Sequence, residues 1–101
     1  MNDPASDPDE KLRPIPFTFE DRDLILNLYS LDLEFEKSFK LAVVKGKTVI
    51  VNLNAYDLDQ LLDEIAAVAN HEKNSKMQKK LDGLFDRVSD KLETEFPRKD
   101  N

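Results

Sequence analysis

The sequence predicts a small α+β domain that is mostly helical. Its second half holds two apolar stripes at helical spacing, separated by a short polar break. Residues 48–53, Thr-Val-Ile-Val-Asn-Leu, are β-favouring and follow a glycine turn. At 101 residues the chain has the length of one domain. The expected order is an N-terminal helix, a short helix or strand, a short β-hairpin or strand near 41–53, and an antiparallel helical hairpin at about 55–70 and 75–95.

Residues 1–13 carry two Asp-Pro pairs and only Met1, Ala5 and Leu12 as apolar groups. They cannot bury enough surface to offset ordering, so 1–13 is expected to be a disordered acidic tail. Residues 14–96 then form the single small domain, and 97–101 a disordered C-terminus. A folded part of about 80 residues buries a modest fraction of its surface, which makes help from a partner or a second copy plausible.

Pro14 and Pro16 fix φ and hold residues 13–17 extended. Thr18 reads as an N-cap with Asp21 three residues on, and Glu20, Asp21 and Asp23 suit a helix N-terminus. Leu24, Ile25 and Leu28 then predict a helix at about 19–29. Residues 31–45 read two ways. Leu31, Leu33 and Phe35 alternate with Asp32, Glu34 and Glu36, and Phe39, Leu41 and Val43 keep that strand parity. Yet Asp32 can cap a helix in which Glu36, Phe39, Lys40 and Val43 fall three and four apart. The helix near 32–43 is slightly preferred.

Lys45-Gly46-Lys47 is a turn in which Gly46 supplies a positive φ. The strand at 48–53 must pair with 41–44, with the N-terminal extended segment, or with another copy through an exposed edge. Asn54 caps the next helix. Leu58, Leu61, Leu62, Ile65 and Ala69 make its stripe with Val68 beside them, and Ala66, Ala67 and Ala69 allow close approach. Residues 70–74 break the pattern. Asn74 or Ser75 caps the last helix, and Ser75 with Gln78 matches a capping box. Met77, Leu81, Leu84, Phe85, Val88 and Leu92 form the last stripe, which Pro97 stops. A linker of about five residues makes these helices antiparallel neighbours.

Charged residues are 36% of the chain and hydrophobic ones 40%, a globular composition. The net charge of −6 argues against non-specific nucleic-acid binding. That charge is concentrated: residues 1–36 hold ten acids against three bases, while 37–101 are close to neutral. Cysteine is absent, which excludes disulfides, thiolate ligation and thiol chemistry. The N-terminus lacks a basic region followed by an apolar run, so no signal peptide is expected, and no apolar run reaches the ~20 residues of a membrane span. The expected location is cytoplasmic, in a bacterial-type protein.

No catalytic, cofactor-binding or metal-ligating set emerges. His71 is the one histidine, so any acid–base chemistry has to use it. Glu64 lies seven helical residues away, about 10 Å, too far to share a metal with it. At a helix end His71 more ordinarily complements the dipole. Asp57, Asp59, Asp63 and Glu64 suggest a carboxylate cluster, but a solvated helix face explains them, and they lack the spacing and glycine of a calcium loop. Gly83 interrupts a helix at a cost of about 1 kcal/mol and belongs to no phosphate loop.

Lys73, Lys76, Lys79 and Lys80 make a basic patch that, with His71, is the candidate interaction surface. It could meet phosphates or an acidic partner. It has no interleaved aromatics for base stacking, and Asp82, Asp86 and Asp90 follow it, as on a solvated face.

Several segments resemble a family of short bacterial proteins of unknown function: 17–20, Phe-Thr-Phe-Glu; 41–47, Leu-Ala-Val-Val-Lys-Gly-Lys; 65–71, Ile-Ala-Ala-Val-Ala-Asn-His; and 77–87 around Met77, Leu81 and Phe85. The resemblance spans residues 17–92. It implies a shared fold and brings no activity, and it tilts residues 32–43 towards helix.

The sequence therefore points first to a non-enzymatic protein-interaction or regulatory module with no cofactor. Its partner is an unknown protein or a second copy of the chain. A nucleic-acid-associated regulator using the 73–80 patch is the alternative, although nucleic acid is disfavoured as a partner. A third reading is an inhibitor that uses the acidic N-terminal third to occupy a DNA-binding protein. An enzyme with His71 as base would need a pocket around that side chain.

Overall fold

A computed structural model describes residues 8–28 and 32–97 of the chain. The elements in order are a 3-10 turn at Pro8–Glu10, β1 (Arg13–Thr18), α1 (Phe19–Leu26), α2 (Leu33–Lys40), β2 (Val43–Lys45), β3 (Thr48–Leu53), α3 (Ala55–His71) and α4 (Ser75–Glu95). The protein is α+β and mostly helical, and it ends in a helical hairpin, as the sequence predicts.

The sheet is antiparallel with the order β1-β3-β2. The clearest strand in the sequence is thus the central one, and it pairs on both sides within the chain. Ile15 lies opposite Val51 and Phe17 opposite Val49. On the other side Val44 lies opposite Val49 and Val43 opposite Ile50. β3 alternates, with Val49, Val51 and Leu53 buried between more exposed Thr48, Ile50 and Asn52. β1 keeps the same rhythm, burying Ile15 and Phe17 and exposing Pro14 and Pro16. Two prolines fit only an edge strand, because each lacks a backbone donor. Gly46 takes φ +60° in the β2–β3 turn, a conformation that glycine adopts without strain.

The buried face of the sheet meets Ile25 of α1, Phe35 and Phe39 of α2, and the stripes of α3 and α4 in one core. Phe17 and Phe39 pack edge to face with centroids 5.1 Å apart. α3 contributes Leu58, Leu61, Ile65, Val68 and Ala69, and α4 contributes Leu81, Leu84 and Val88.

Caps explain where the helices start. Thr18 Oγ1 accepts from the Asp21 N–H at 3.0 Å, and Asp32 accepts from the Glu34 N–H at 2.8 Å. Asn54 and Asp57 form a complete capping box at α3. At α4 the cap is Asn74, whose Oδ1 accepts from the Lys76 and Met77 N–H groups. Gln78 does not close a box with Ser75. Its amide instead donates to the Ala69 carbonyl across the hairpin at 3.2 Å.

Other boundaries differ from the sequence reading. α1 ends at Leu26 instead of about 29, with Asn27 as its C-cap. α3 runs to His71, so the hairpin linker is 72–74, shorter than the five residues expected. Residues 8–13, assigned to the tail, include the 3-10 turn and the first residue of β1, and the Asn54 amide donates to the Glu10 carbonyl at 3.3 Å. The rest of that tail, residues 1–7, and positions 98–101 lie outside the described residues. So does Leu31, on which part of the strand reading rested.

Candidate interaction surfaces

The structure gathers His71, Lys73, Lys76, Lys79 and Lys80 at one end of the helical hairpin, and all five are exposed. His71 ends α3, where a cation complements the dipole. The lysines sit at the opposite pole. Lys76, Lys79 and Lys80 occupy the first two turns of α4, where the dipole is positive, and Lys73 lies in the linker. α1, α2 and α3 each place acids in their first turn, and α4 places none there. The end of the hairpin is therefore a concentrated cationic surface. The donors of the helix start are already engaged: Asn74 Oδ1 accepts from the Lys76 and Met77 N–H groups, and the Glu72 carboxylate accepts from the Asn74 N–H at 3.1 Å.

A second surface escaped the sequence reading. Leu33 is 79% exposed and Leu41 72%, and Val43 and Val44 are both more than half exposed. Leu33 and Leu41 border an open concavity of about 480 Å³ with Glu36, Lys37 and Lys40. Isolated exposed apolar side chains are ordinary, but Leu33 and Leu41 share one concavity, and Val43 and Val44 follow in β2 on opposite faces of the sheet, Val44 beside Val49 and Val43 beside Ile50. The signal was present in the sequence. Residues 31–44 carry more apolar groups than one helix face can bury, which is also why they read as either helix or strand.

An ion pair joins distant parts of the chain. Arg87 Nε donates to Asp21 Oδ2 at 2.9 Å, and Nη2 donates to Oδ1 at 2.7 Å. Asp21 is almost fully buried, while the Arg87 side chain is about half exposed. The Asp21 hydrogen bonds hold the Arg87 guanidinium above its ordinary pKa, outweighing the desolvation that lowers it. Gly83 gives the guanidinium room, since a Cβ there would meet Arg87 Nη1 at 3.0 Å. Sequence spacing alone places Asp21 in the first turn of a helix and gives neither it nor Gly83 a partner.

Among the described residues, no group of three His, Asp or Glu side chains is placed to hold a metal. A concavity of about 340 Å³ brings Asp32, Glu34 and Asp57 near Ser38, Asn52 and Gln60. There Asp32 accepts from the Glu34 N–H and Asp57 from the Asn54 N–H, so two of the three carboxylates cap helices. No described helix is long and apolar enough to cross a membrane. No protein-family model matches the chain, and no curated protein or solved structure matches it.

Proposed function

We propose that this protein is a non-enzymatic protein-interaction module that engages its partner through the face formed by α2 and β2. The observation that carries this reading is the exposure of Leu33 and Leu41 on one concavity, with Val43 and Val44 exposed in the strand that follows. A folded domain of this size gains stability by burying such groups. Leaving four of them outside is explained by an interface that covers them. A photo-crosslinking residue at position 41 tests this in the native cell, with one at the exposed Ala67 as the control. A discrete adduct from 41 and none from 67 is the expected outcome. Equal or absent crosslinking at the two positions removes this face as the interface.

The basic end of the hairpin favours a second reading, a nucleic-acid-associated regulator. Its specific support is the cluster of four exposed lysines at a helix start that has no first-turn acid. Phosphate contacts are strongest at low salt. A gel shift at low ionic strength that disappears in a variant with Lys73, Lys76, Lys79 and Lys80 changed to Gln supports this reading, and no shift at low salt removes it.

A further inference from the structure

We infer that the free edge of β2 takes an extended acidic segment of a partner protein as a fourth strand; this rests on the interaction-module reading and names the partner's chemistry. The two edges of the sheet are built differently. β1 closes its edge with Pro14 and Pro16, each without a backbone donor. β2 has no proline, is exposed at all three residues, and has no strand on its outer side among the described residues. An added strand hydrogen-bonds such an edge along its main chain and sets alternate side chains into neighbouring pockets. The concavity bordered by Leu33 and Leu41 lies on the helix that leads into β2, and it supplies an apolar seat.

Charge selects the occupant. Lys45 in β2, Lys47 in the turn after it, and Lys37 and Lys40 on the helix before it are all exposed. Against them stand Glu34 and Glu36, and Glu36 is already paired with Lys40 at 2.9 Å. The rim is therefore net positive. Edge-to-edge pairing of two copies would bring like rims together across a two-fold axis, which opposes it. An acidic strand with apolar residues at alternate positions complements both the rim and the seat.

The probe is a labelled synthetic octapeptide of alternating glutamate and valine, titrated into the full chain by fluorescence anisotropy and by amide NMR. Binding is expected, with shifts and slowed exchange centred on Val43, Val44 and Lys45. Backbone N-methylation of alternate peptide residues should weaken it at least about tenfold, because strand addition depends on main-chain hydrogen bonds. Leu41→Asp and the double variant Lys45→Glu/Lys47→Glu should each weaken it by a similar factor. These side chains are exposed, and unchanged thermal unfolding of the free variants shows that they still fold. The inference is overturned by three results: no binding, equal binding of a lysine–valine peptide, or unchanged affinity on N-methylation. Concentration-dependent dimerisation abolished by Leu41→Asp would also overturn it, in favour of a second copy, while leaving the interaction-module reading intact. That reading fails separately, through the crosslinking at position 41.

Discussion

Asp21 is the one charged side chain fully buried among the described residues, and Arg87 meets it from 66 positions away. A buried carboxylate left without donors is costly, so Arg87→Ala should destabilise the protein by about 2–3 kcal/mol. That is below the ~3–5 kcal/mol of a pair buried on both sides, because the arginine is half exposed. The expected result is a lower urea midpoint at unchanged slope. Because the folded state raises the Arg87 pKa, the arginine's contribution is complete at every pH below its ordinary value. It is lost only as pH rises through the higher folded one. Titration of Arg87 should therefore not change stability between about pH 6 and pH 10. Gly83 makes a second, coupled prediction. An alanine in a helix interior normally gains about 1 kcal/mol over glycine. Here its Cβ would press on the pinned guanidinium. Gly83→Ala alone should gain less than that or lose stability, and in an Arg87→Ala background it should recover the full gain. A double-mutant cycle that is additive would refute the link. None of this was legible from helical periodicity, which sees neither the partner nor the space. A mid-helix glycine four residues before an arginine was the only local hint.

At the scale of elements, local chemistry was readable and choices between periods were not. Thr18, Asp32 and Asn54 cap the helices that their side chains suggest, because a cap acts within three residues. Residues 31–44 satisfied two periods at once. The helix prevails over Leu33–Lys40, shorter than the expected 32–43, by burying Phe35 and Phe39 one turn apart and turning Leu33 into solvent, while Val43 and Val44 join β2. A strand would have placed Leu33 and Phe39 on the same face. The two readings therefore predict different costs. Phe39→Ala should lose about 3–5 kcal/mol through the cavity against Phe17. Leu33→Lys should change stability by less than about 0.5 kcal/mol. Thermal unfolding of the two variants tests this, and a large loss from Leu33→Lys would show that its side chain is packed. The exposed apolar groups emerge only with the helix in place, because which of them are surplus depends on which face is buried.

At the scale of the whole molecule, α4 packs against β1, which sets Phe96 beside the start of the first strand. Phe96 follows α4 and is 4% exposed, and the Arg13 guanidinium at the start of β1 lies 5.5 Å from its ring centroid. The sequence reading ended the last stripe at Leu92. A single aromatic beyond a helix carries no periodicity, and its role depends on where β1 lies. Packing of this kind makes Phe96 a clasp between the first strand and the last helix. Phe96→Ala should cost about 3–5 kcal/mol, the usual range for a buried phenylalanine. Total stability for a domain of this length is about 5–10 kcal/mol, so that loss is a large part of it. Arg13→Ala should cost about 0.5–1 kcal/mol, since it removes only an exposed cation–π contact. The location of the loss distinguishes a clasp from a frayed helix end. With a clasp, the amides of Ile15 and Phe17 in β1 lose hydrogen-exchange protection together with those of Leu84 and Val88 in α4. If Phe96→Ala instead releases only the last turn of α4 and leaves β1 protected, the two ends are adjacent without being coupled. The cooperativity of the fold would then rest on β3 and the helical hairpin alone.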